Sequence, residues 1–275
     1  MPVARLLLYA ATAGGFALAV KAVAFEPPPL WVACLALFAY VGLVTLGVVF
    51  SRFSMFADVI TLGPQHARGV ALTFDDGPDP RTTPKILDLL ESAGASATFF
   101  IIGSKAEAHP DIVRDIHARG HAIGIHSYAH ERLLSLKGPW HVRADLERAA
   151  RLLANITGKR PLLFRPPIGH ISPSMARVVR DMDLVVIGWS ARAVDGWSGA
   201  KSDHVAERVI RKLRDGTIVL LHDAAERGDF IPASVQALPR ILEAAREKNL
   251  PLVRVDRWLG EGTAAELSEA HDEIA

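Results

Sequence analysis

The sequence predicts an α/β fold: a small or incomplete (β/α) barrel that follows a helical hairpin in the membrane. From Arg68 onward, short apolar runs alternate with longer amphipathic runs, as expected of parallel βαβ units. Roughly seven such units fit into about 190 residues, which is short for a closed eight-stranded barrel. A doubly wound sheet is the alternative. Either fold gathers functional residues at the carboxyl ends of its strands.

The predicted elements follow from hydrophobic periodicity and from capping residues. Ser172-Pro173 matches a helix N-cap followed by proline at the first helical position. Glycines follow three predicted helices, at Gly94, Gly120 and Gly158. The predicted strands are 70–74, 97–102, 122–125, 162–164, 184–188, 218–221 and 252–255. The predicted helices are 83–92, 110–119, 139–156, 173–181, 204–213 and 234–248.

The first fifty residues contain two apolar runs, 6–25 and 30–50, each long enough to cross a bilayer as a helix. The break between them, Glu26-Pro27-Pro28-Pro29, cannot continue a helix. We therefore expect a multi-pass membrane anchor over residues 1–52. The alternative is a cleaved signal peptide, with Arg5 as its basic end and Ala22-Val23-Ala24 as its cleavage site, followed by a single anchor. The other predicted segments are a linker over 53–67, an α/β domain over 68–260 and a flexible tail over 261–275.

Charge predicts which way the hairpin faces. Arg5 and Arg52 lie at the two outer ends of the hairpin, whereas the short loop offers Lys21 against Glu26. The positive-inside rule then favours both ends, and the rest of the chain, on the cytoplasmic side of a bacterial-type plasma membrane. The formal net charge of +1 gives no reason to expect a nucleic-acid partner, and the single cysteine, Cys34, excludes an intrachain disulfide.

The residues able to carry chemistry come after successive predicted strands. Asp75 and Asp76 end a buried strand, where two adjacent acids need a cation, a proton or an arginine nearby. We expect His126 and His130, four residues apart, to share one face of a helical turn and reach one ion. Two histidines and a carboxylate suit a catalytic divalent metal such as zinc. The other candidates at strand ends are Arg165, Asp195 and His222.

These motifs, in this order, resemble the polysaccharide deacetylase family, also called the NodB-homology or carbohydrate esterase 4 family, from about Arg68 to Val255. The motifs are Thr73-Phe74-Asp75-Asp76-Gly77-Pro78, His126-Ser127-Tyr128-Ala129-His130, Arg165-Pro166-Pro167-Ile168-Gly169 and the run ending in Leu220-Leu221-His222. The resemblance implies a NodB-type barrel. It also implies that Asp76, His126 and His130 bind the metal, that Asp75 is the general base and that His222 is the general acid. Arg165 is then expected to orient Asp75.

The chain departs from the family pattern in two places. Ile168 stands where the family usually has an aromatic residue, although the expected oxyanion contact uses its backbone N–H. The fourth motif, usually Asp-x-x-Asp-Trp, reads Arg192-Ala193-Val194-Asp195-Gly196-Trp197. Only Asp195 is carried over, as the partner that tunes His222. The expected substrate contacts are Ile168, Trp197 and Leu220.

The resemblance implies a membrane-anchored metal-dependent deacetylase that removes an N-acetyl or other small N-acyl group from an amino sugar. A cytoplasmic active site predicts a lipid-linked sugar as substrate, in glycan or glycolipid biosynthesis. An extracytoplasmic site predicts peptidoglycan or a secreted polymer of N-acetylglucosamine. The motifs also leave open an inactive carbohydrate- or lipid-binding protein on the same fold, and a hydrolase of phosphoesters or carboxylic esters.

Overall fold

The computed structural model describes residues 1–259. The chain begins with two apolar helices, α1 (Val3–Ala24) and α2 (Leu30–Val49), which pack against each other. Both are long and apolar enough to cross a membrane, and almost none of their surface is buried within the protein. Signal sequences share these properties. Length and composition are therefore the same for a membrane-spanning hairpin and for a signal sequence followed by an anchor.

The rest of the described chain forms a single parallel sheet of eight strands with helices on its outer face. Its order is β1-β6-β5-β4-β3-β2-β8-β7, and β1 and β7 do not pair with each other, so the sheet curls without closing. This confirms the predicted incomplete (β/α) barrel. The strands are β1 (Val59–Ile60), β2 (Ala71–Asp75), β3 (Thr98–Ile101), β4 (Ala122–Ile125), β5 (Leu163–Phe164), β6 (Val185–Ile187), β7 (Ala191–Arg192) and β8 (Ile218–His222).

The connecting helices agree closely with the amphipathic pattern. The Ser172 hydroxyl accepts a hydrogen bond from the backbone N–H of Met175, as the predicted N-cap requires, and Gly158 ends a helix in the left-handed conformation. The helices are α3 (Thr83–Ser92), α4 (Gly103–Ala108), α5 (Pro110–Ala118), α6 (Pro139–Thr157), α7 (Pro173–Asp181), α8 (Ser202–Ile210) and α9 (Ser234–Glu247).

The prediction of a strand over 252–255 is wrong. Leu252 forms only an isolated parallel bridge with Val70, and a short 3-10 helix, Val255–Trp258, begins directly afterwards. Strands β1 and β7 and helix α4 were not predicted, because two-residue strands and a six-residue helix are too short to show a period. Strand β1 lies inside the segment predicted as a linker. The predicted tail, 261–275, lies outside the described residues.

Alternation along the strands separates the core from the barrel interior. In β2, Leu72 and Phe74 belong to the large core under the helices, whereas Ala71 belongs to a smaller cluster with Phe100 and Ile187. Because side chains alternate with period two, Thr73 and Asp75 share the inner face with Ala71. The inner face therefore changes from apolar at the amino ends of the strands to charged at their carboxyl ends.

Candidate active site

Strand register brings the predicted acid and base together at the mouth of the barrel. Asp75 is the register partner of His222 on β8, and Thr73 is the partner of Leu220 one layer below. The same inner row continues past the end of β5 to Arg165 and past the end of β4 to His126. All six positions follow from the alternation and from the parallel pairing of these strands.

Asp76, His126 and His130 form the cluster expected to hold a metal. One ligand atom from each lies within 4.8 Å of the others, and all three residues are buried. Asp76 Oδ1 lies 3.4 Å from His126 Nε2 and 3.2 Å from His130 Nε2. This oxygen is buried and has no hydrogen-bond partner among residues 1–259. A buried carboxylate oxygen facing two imidazole nitrogens is the donor set that a divalent cation requires.

The ring of His126 is held by its other nitrogen. His126 Nδ1 lies 2.7 Å from the backbone oxygen of Arg165, so Nδ1 carries the proton and Nε2 is free to act as a ligand. His130 Nδ1 lies 3.6 Å from Glu226 Oε1, a buried carboxylate oxygen. Each of the two histidine rings thus has an oxygen near its Nδ1 atom and the Asp76 carboxylate near its Nε2 atom.

The prediction of a helical turn over His126–His130 is wrong, although the two rings do converge. The segment is an irregular loop in which Ser127 and His130 adopt positive φ angles of 65° and 50°. The Ser127 hydroxyl accepts a hydrogen bond of 2.8 Å from the backbone N–H of His130 and closes this loop. Asp76 also has a positive φ, 74°. The loop geometry, rather than helical periodicity, therefore sets the distance between the two imidazoles.

Arg165 is fully buried beneath Asp75. Its guanidinium donates hydrogen bonds of 2.7 Å to Asp75 Oδ1 and 2.7 Å to Thr73 Oγ1. Two more donor atoms of the guanidinium bond backbone oxygens of residues 187 and 188, and the Phe100 ring lies 4.1 Å away. An arginine with this many partners cannot turn away, so it holds the Asp75 carboxylate in one position.

Asp195 holds His222 by two contacts. The backbone N–H of His222 donates to Asp195 Oδ2 at 2.7 Å, and His222 Nδ1 lies 3.0 Å from Asp195 Oδ1. The ring's free nitrogen, Nε2, is left facing the cluster, 4.0 Å from Asp76 Oδ2. The backbone of Gly196 lies flat against the imidazole, where a side chain would press on the ring. This explains why glycine suits that position.

The charges of the cluster shift several pKa values. Burial lowers the pKa of His222, but the charge and hydrogen bond of Asp195, with the charges of Asp76 and Asp75, outweigh burial and raise it to about 9. Burial likewise raises the pKa of Asp76, but the close approach and charge of His126 and the charges of His222 and His130 lower it to about 2. His222 is consequently protonated, and Asp76 ionised, at neutral pH.

The three predicted substrate contacts lie in different settings. Ile168 adopts a left-handed backbone with φ of 52° in the loop after β5. Trp197 is 57% exposed and lines a surface cleft with Lys201, His204 and Arg208. Leu220 is buried in the layer beneath His222. Of the three, Ile168 lies in a loop that leaves the carboxyl end of a strand and precedes α7.

Three polar residues near the cluster were not predicted. Lys105 Nζ donates to the backbone oxygens of Asp76 and Ala225, at 2.6 and 2.9 Å. Asp223 is buried against Gly77, and burial raises its pKa to about 7. Glu226 lies behind His130. Asp223 follows directly on His222 and could have been noticed, but Lys105 and Glu226 come from connections that no local pattern places at the mouth.

Comparisons with known proteins agree on one family. The model of the polysaccharide deacetylase family matches residues 63–187. A peptidoglycan-N-acetylglucosamine deacetylase of Bacillus cereus is 35% identical over 191 residues, covering 70% of this chain and 68% of that protein. A chitooligosaccharide deacetylase of Azorhizobium caulinodans is 34% identical over 160 residues, covering 58% and 75%. The crystal structure of a peptidoglycan N-acetylglucosamine deacetylase superposes with a TM-score of 0.70 at 32% identity, covering 76% and 95%.

An open parallel barrel with a buried Asp–His–His cluster at its mouth is typical of a metal-dependent hydrolase. The chain belongs to the polysaccharide deacetylase family. It is an enzyme that hydrolyses N-acetyl amide bonds of sugars, and a divalent metal is its cofactor.

Proposed function

We propose that this protein is a membrane-anchored, zinc-dependent deacetylase that removes an N-acetyl group from an amino sugar carried on a membrane lipid. The observation that carries the proposal is the pairing of Asp75 with Arg165 and of His222 with Asp195 beside the Asp–His–His cluster. The first pair fixes the position of a proton acceptor, and the second keeps a proton donor charged. Amide hydrolysis needs both, because water must lose a proton and the leaving amine must gain one.

Asp75 is the general base in this proposal. Asp75 Oδ1 is occupied by Arg165, and Oδ2 lies 3.9 Å from His126 Nε2, so Oδ2 faces the place where the attacking water would lie. The hydrogen bond from the guanidinium to Oδ1 fixes the direction in which Oδ2 points.

His222 is the general acid. With Nδ1 turned to Asp195, the proton on Nε2 points into the cleft, where it can be given to the leaving nitrogen. The raised pKa keeps that proton in place until the amine departs. The backbone N–H of Ile168 is the proposed donor to the oxyanion.

Asp76, His126 and His130 would hold the zinc ion, for which two imidazoles and one carboxylate are typical ligands of a catalytic site. When bound, the ion would polarise the acetyl carbonyl and lower the pKa of a water molecule.

Several contacts support the hairpin over a cleaved signal peptide. The Arg5 guanidinium donates to the backbone oxygens of Ser54 and Met55, at 3.1 and 3.4 Å, and pairs with Asp58 at 2.8 Å. The hydroxyls of Thr12 and Tyr40 lie 3.3 Å apart between the two helices. Cleavage after residue 24 would remove these partners. The proposed orientation places both ends of the hairpin, and the catalytic domain, in the cytoplasm.

Acetate release from an N-acetylglucosamine oligosaccharide tests the chemistry. We expect release by the purified full chain, its loss after dialysis against a chelator, and recovery when zinc is returned. Asp203→Asn is a matched control, because Asp203 is an exposed acid that pairs with Arg240. Release of acetate only from an acetate ester, with none from the N-acetyl sugar, would contradict the proposal.

The relatives supply a second candidate. Two of those described above are peptidoglycan-N-acetylglucosamine deacetylases, and their substrate is a wall polymer that a cytoplasmic site cannot reach. Reporter fusions at Ala275 separate the two candidates. Activity of a cytoplasmic reporter supports the lipid-linked substrate, whereas activity of an extracytoplasmic reporter supports the wall polymer.

A further inference from the structure

The end of α2 is joined to the loop that follows β5. The backbone N–H of Ile171 donates to the backbone oxygen of Val48 at 3.1 Å. The last carbonyls of a helix lack intrahelical donors, so this bond satisfies one of them with a residue of the catalytic domain. Gly47 packs in the same place against Met55 and Phe56, with no room for a side chain. Because the loop after β5 lies at the carboxyl ends of the strands, α2 meets the barrel on the side of its mouth.

The residues that follow α2 have the composition of a membrane interface. Phe50 and Phe53 are exposed, and the guanidinium of Arg52 lies 5.8 and 5.1 Å from their ring centres. Aromatic rings and arginines concentrate at the level of the lipid headgroups. If α2 spans the bilayer, the headgroups are at the height of the loop that contains Ile171.

A second exposed apolar surface lies beside this point. Leu133, Leu136 and Trp140 are 59%, 70% and 83% exposed, which is unusual for three large apolar side chains within eight residues. We call these three residues the rim patch. Leu133 and Leu136 belong to the connection between His130 and α6, which also leaves the barrel at the carboxyl end of a strand, and Trp140 lies in the first turn of α6.

Hydrogen bonds connect the rim patch to the end of α2. The Ser174 hydroxyl donates to the backbone oxygen of Lys137 at 3.1 Å and lies 2.9 Å from the Ser172 hydroxyl. Ser172 directly follows Ile171, which bonds Val48. Lys137 sits between Leu136 and Trp140; its side chain is about half exposed, and its ammonium lies 3.6 Å from the Glu131 carboxylate.

We propose that the rim patch inserts into the interfacial layer of the same bilayer that α2 crosses, so that the mouth of the barrel opens at the level of the lipid headgroups. The substrate class is then an amino sugar attached to a membrane lipid, whose sugar is at that level. This inference rests on the proposed deacetylation and names the carrier of its substrate. We expect the bilayer to cover the rim patch, because the rim patch extends the group of aromatic and basic residues that follows α2, namely Phe50, Arg52 and Phe53.

Depth measurement tests the contact with the membrane. A fluorophore is placed at Leu136→Cys in full-length protein carrying Cys34→Ala, reconstituted in vesicles of phosphatidylcholine and phosphatidylglycerol. The matched control is Ala118→Cys, an exposed site at the end of α5 and so at the opposite edge of the sheet. We expect lipid-borne nitroxides to quench the label at 136 and not the label at 118. Equal quenching at the two sites would overturn the proposal.

Kinetics test the substrate class. In the triple variant Leu133→Gln, Leu136→Gln, Trp140→Gln, we expect unchanged hydrolysis of a soluble N-acetylglucosamine oligosaccharide. We expect a roughly tenfold loss of hydrolysis of an N-acetylglucosaminyl lipid in vesicles, equivalent to about 1.4 kcal/mol. Leu62→Gln, another exposed leucine, on the edge opposite the mouth, should change neither rate.

The outcomes keep the two proposals apart. A wild-type protein that hydrolyses neither substrate refutes the proposed function itself. A second outcome is that the wild type hydrolyses the soluble substrate while the triple variant loses both rates equally. That outcome overturns the proposal for the rim patch and leaves the proposed function standing. A selective loss with the lipid substrate, together with quenching at 136, supports it.

Discussion

Replacing Asp195 with asparagine should destabilise the protein in a way that depends on pH. Asparagine keeps the size of the side chain but removes the charge that faces His222. The raised pKa of His222, about 9 against an ordinary 6.5, corresponds to about 3 kcal/mol of stabilisation, at about 1.4 kcal/mol per pKa unit. A histidine that binds its proton more tightly when folded stabilises the fold fully below pH 6.5. It loses that contribution as the pH rises through 9.

The free energy of unfolding of the metal-free full chain, measured in detergent at pH 6 and pH 10, checks this expectation. We expect Asp195→Asn to cost up to about 3 kcal/mol at pH 6, because the charges of Asp76 and Asp75 supply part of the pKa shift, and little at pH 10. Asp203→Asn should behave as wild type at both values, because Asp203 is exposed and distant from His222. An equal loss at both pH values would refute the reasoning, since it would mean that the loss comes from the hydrogen-bond acceptor that asparagine lacks rather than from the charge that faces His222.

Three further substitutions separate chemistry from packing. Asp75→Asn should lower amide hydrolysis about 10²- to 10⁴-fold while zinc binding, followed by calorimetry, persists; loss of zinc would contradict a role as base. Arg165→Met should lower the free energy of unfolding by about 3–5 kcal/mol, because it leaves the Asp75 charge buried without its partner; a change below 1 kcal/mol in a denaturant titration would contradict this. Gly77→Ala should lower the melting temperature, because its methyl group would overlap the Asp223 carboxylate, whereas Gly138→Ala, which faces open space, should not.

The strand pattern predicted much of the site. Asp75, Arg165 and His222 come at or directly after the ends of apolar runs, and parallel pairing brings such ends to one edge. The convergence of His126 and His130 was predicted correctly from the wrong geometry, because four-residue spacing in a loop has no fixed direction. The distance between these rings depends on the positive φ of His130 and on the Ser127 hydroxyl. The four-residue spacing in the sequence gives no information about this φ angle or about this hydrogen bond.

Other parts of the site depend on contacts between distant segments. Glu226 and Lys105 reach the cluster from connections whose path is set by packing of the whole barrel. Strands β1 and β7 are two residues long and are stabilised by the neighbouring strands rather than by their own sequence. The 252–255 segment has strand-forming residues but pairs only at Leu252. Local propensity therefore failed where tertiary neighbours decide the conformation.

The left-handed backbone at the mouth sets a limit on how stable this barrel can be. Asp76, His130 and Ile168 have φ angles of 74°, 50° and 52°, which cost a non-glycine residue of order 1 kcal/mol each. Glycine at these positions would relax the backbone, and at Asp76 it would also remove one of two adjacent buried acids. Selection for stability alone would thus favour glycine in place of Asp76 and His130, two of the three proposed metal ligands. The most stable version of this barrel would then lack the proposed metal site, so that site is retained at the expense of the fold.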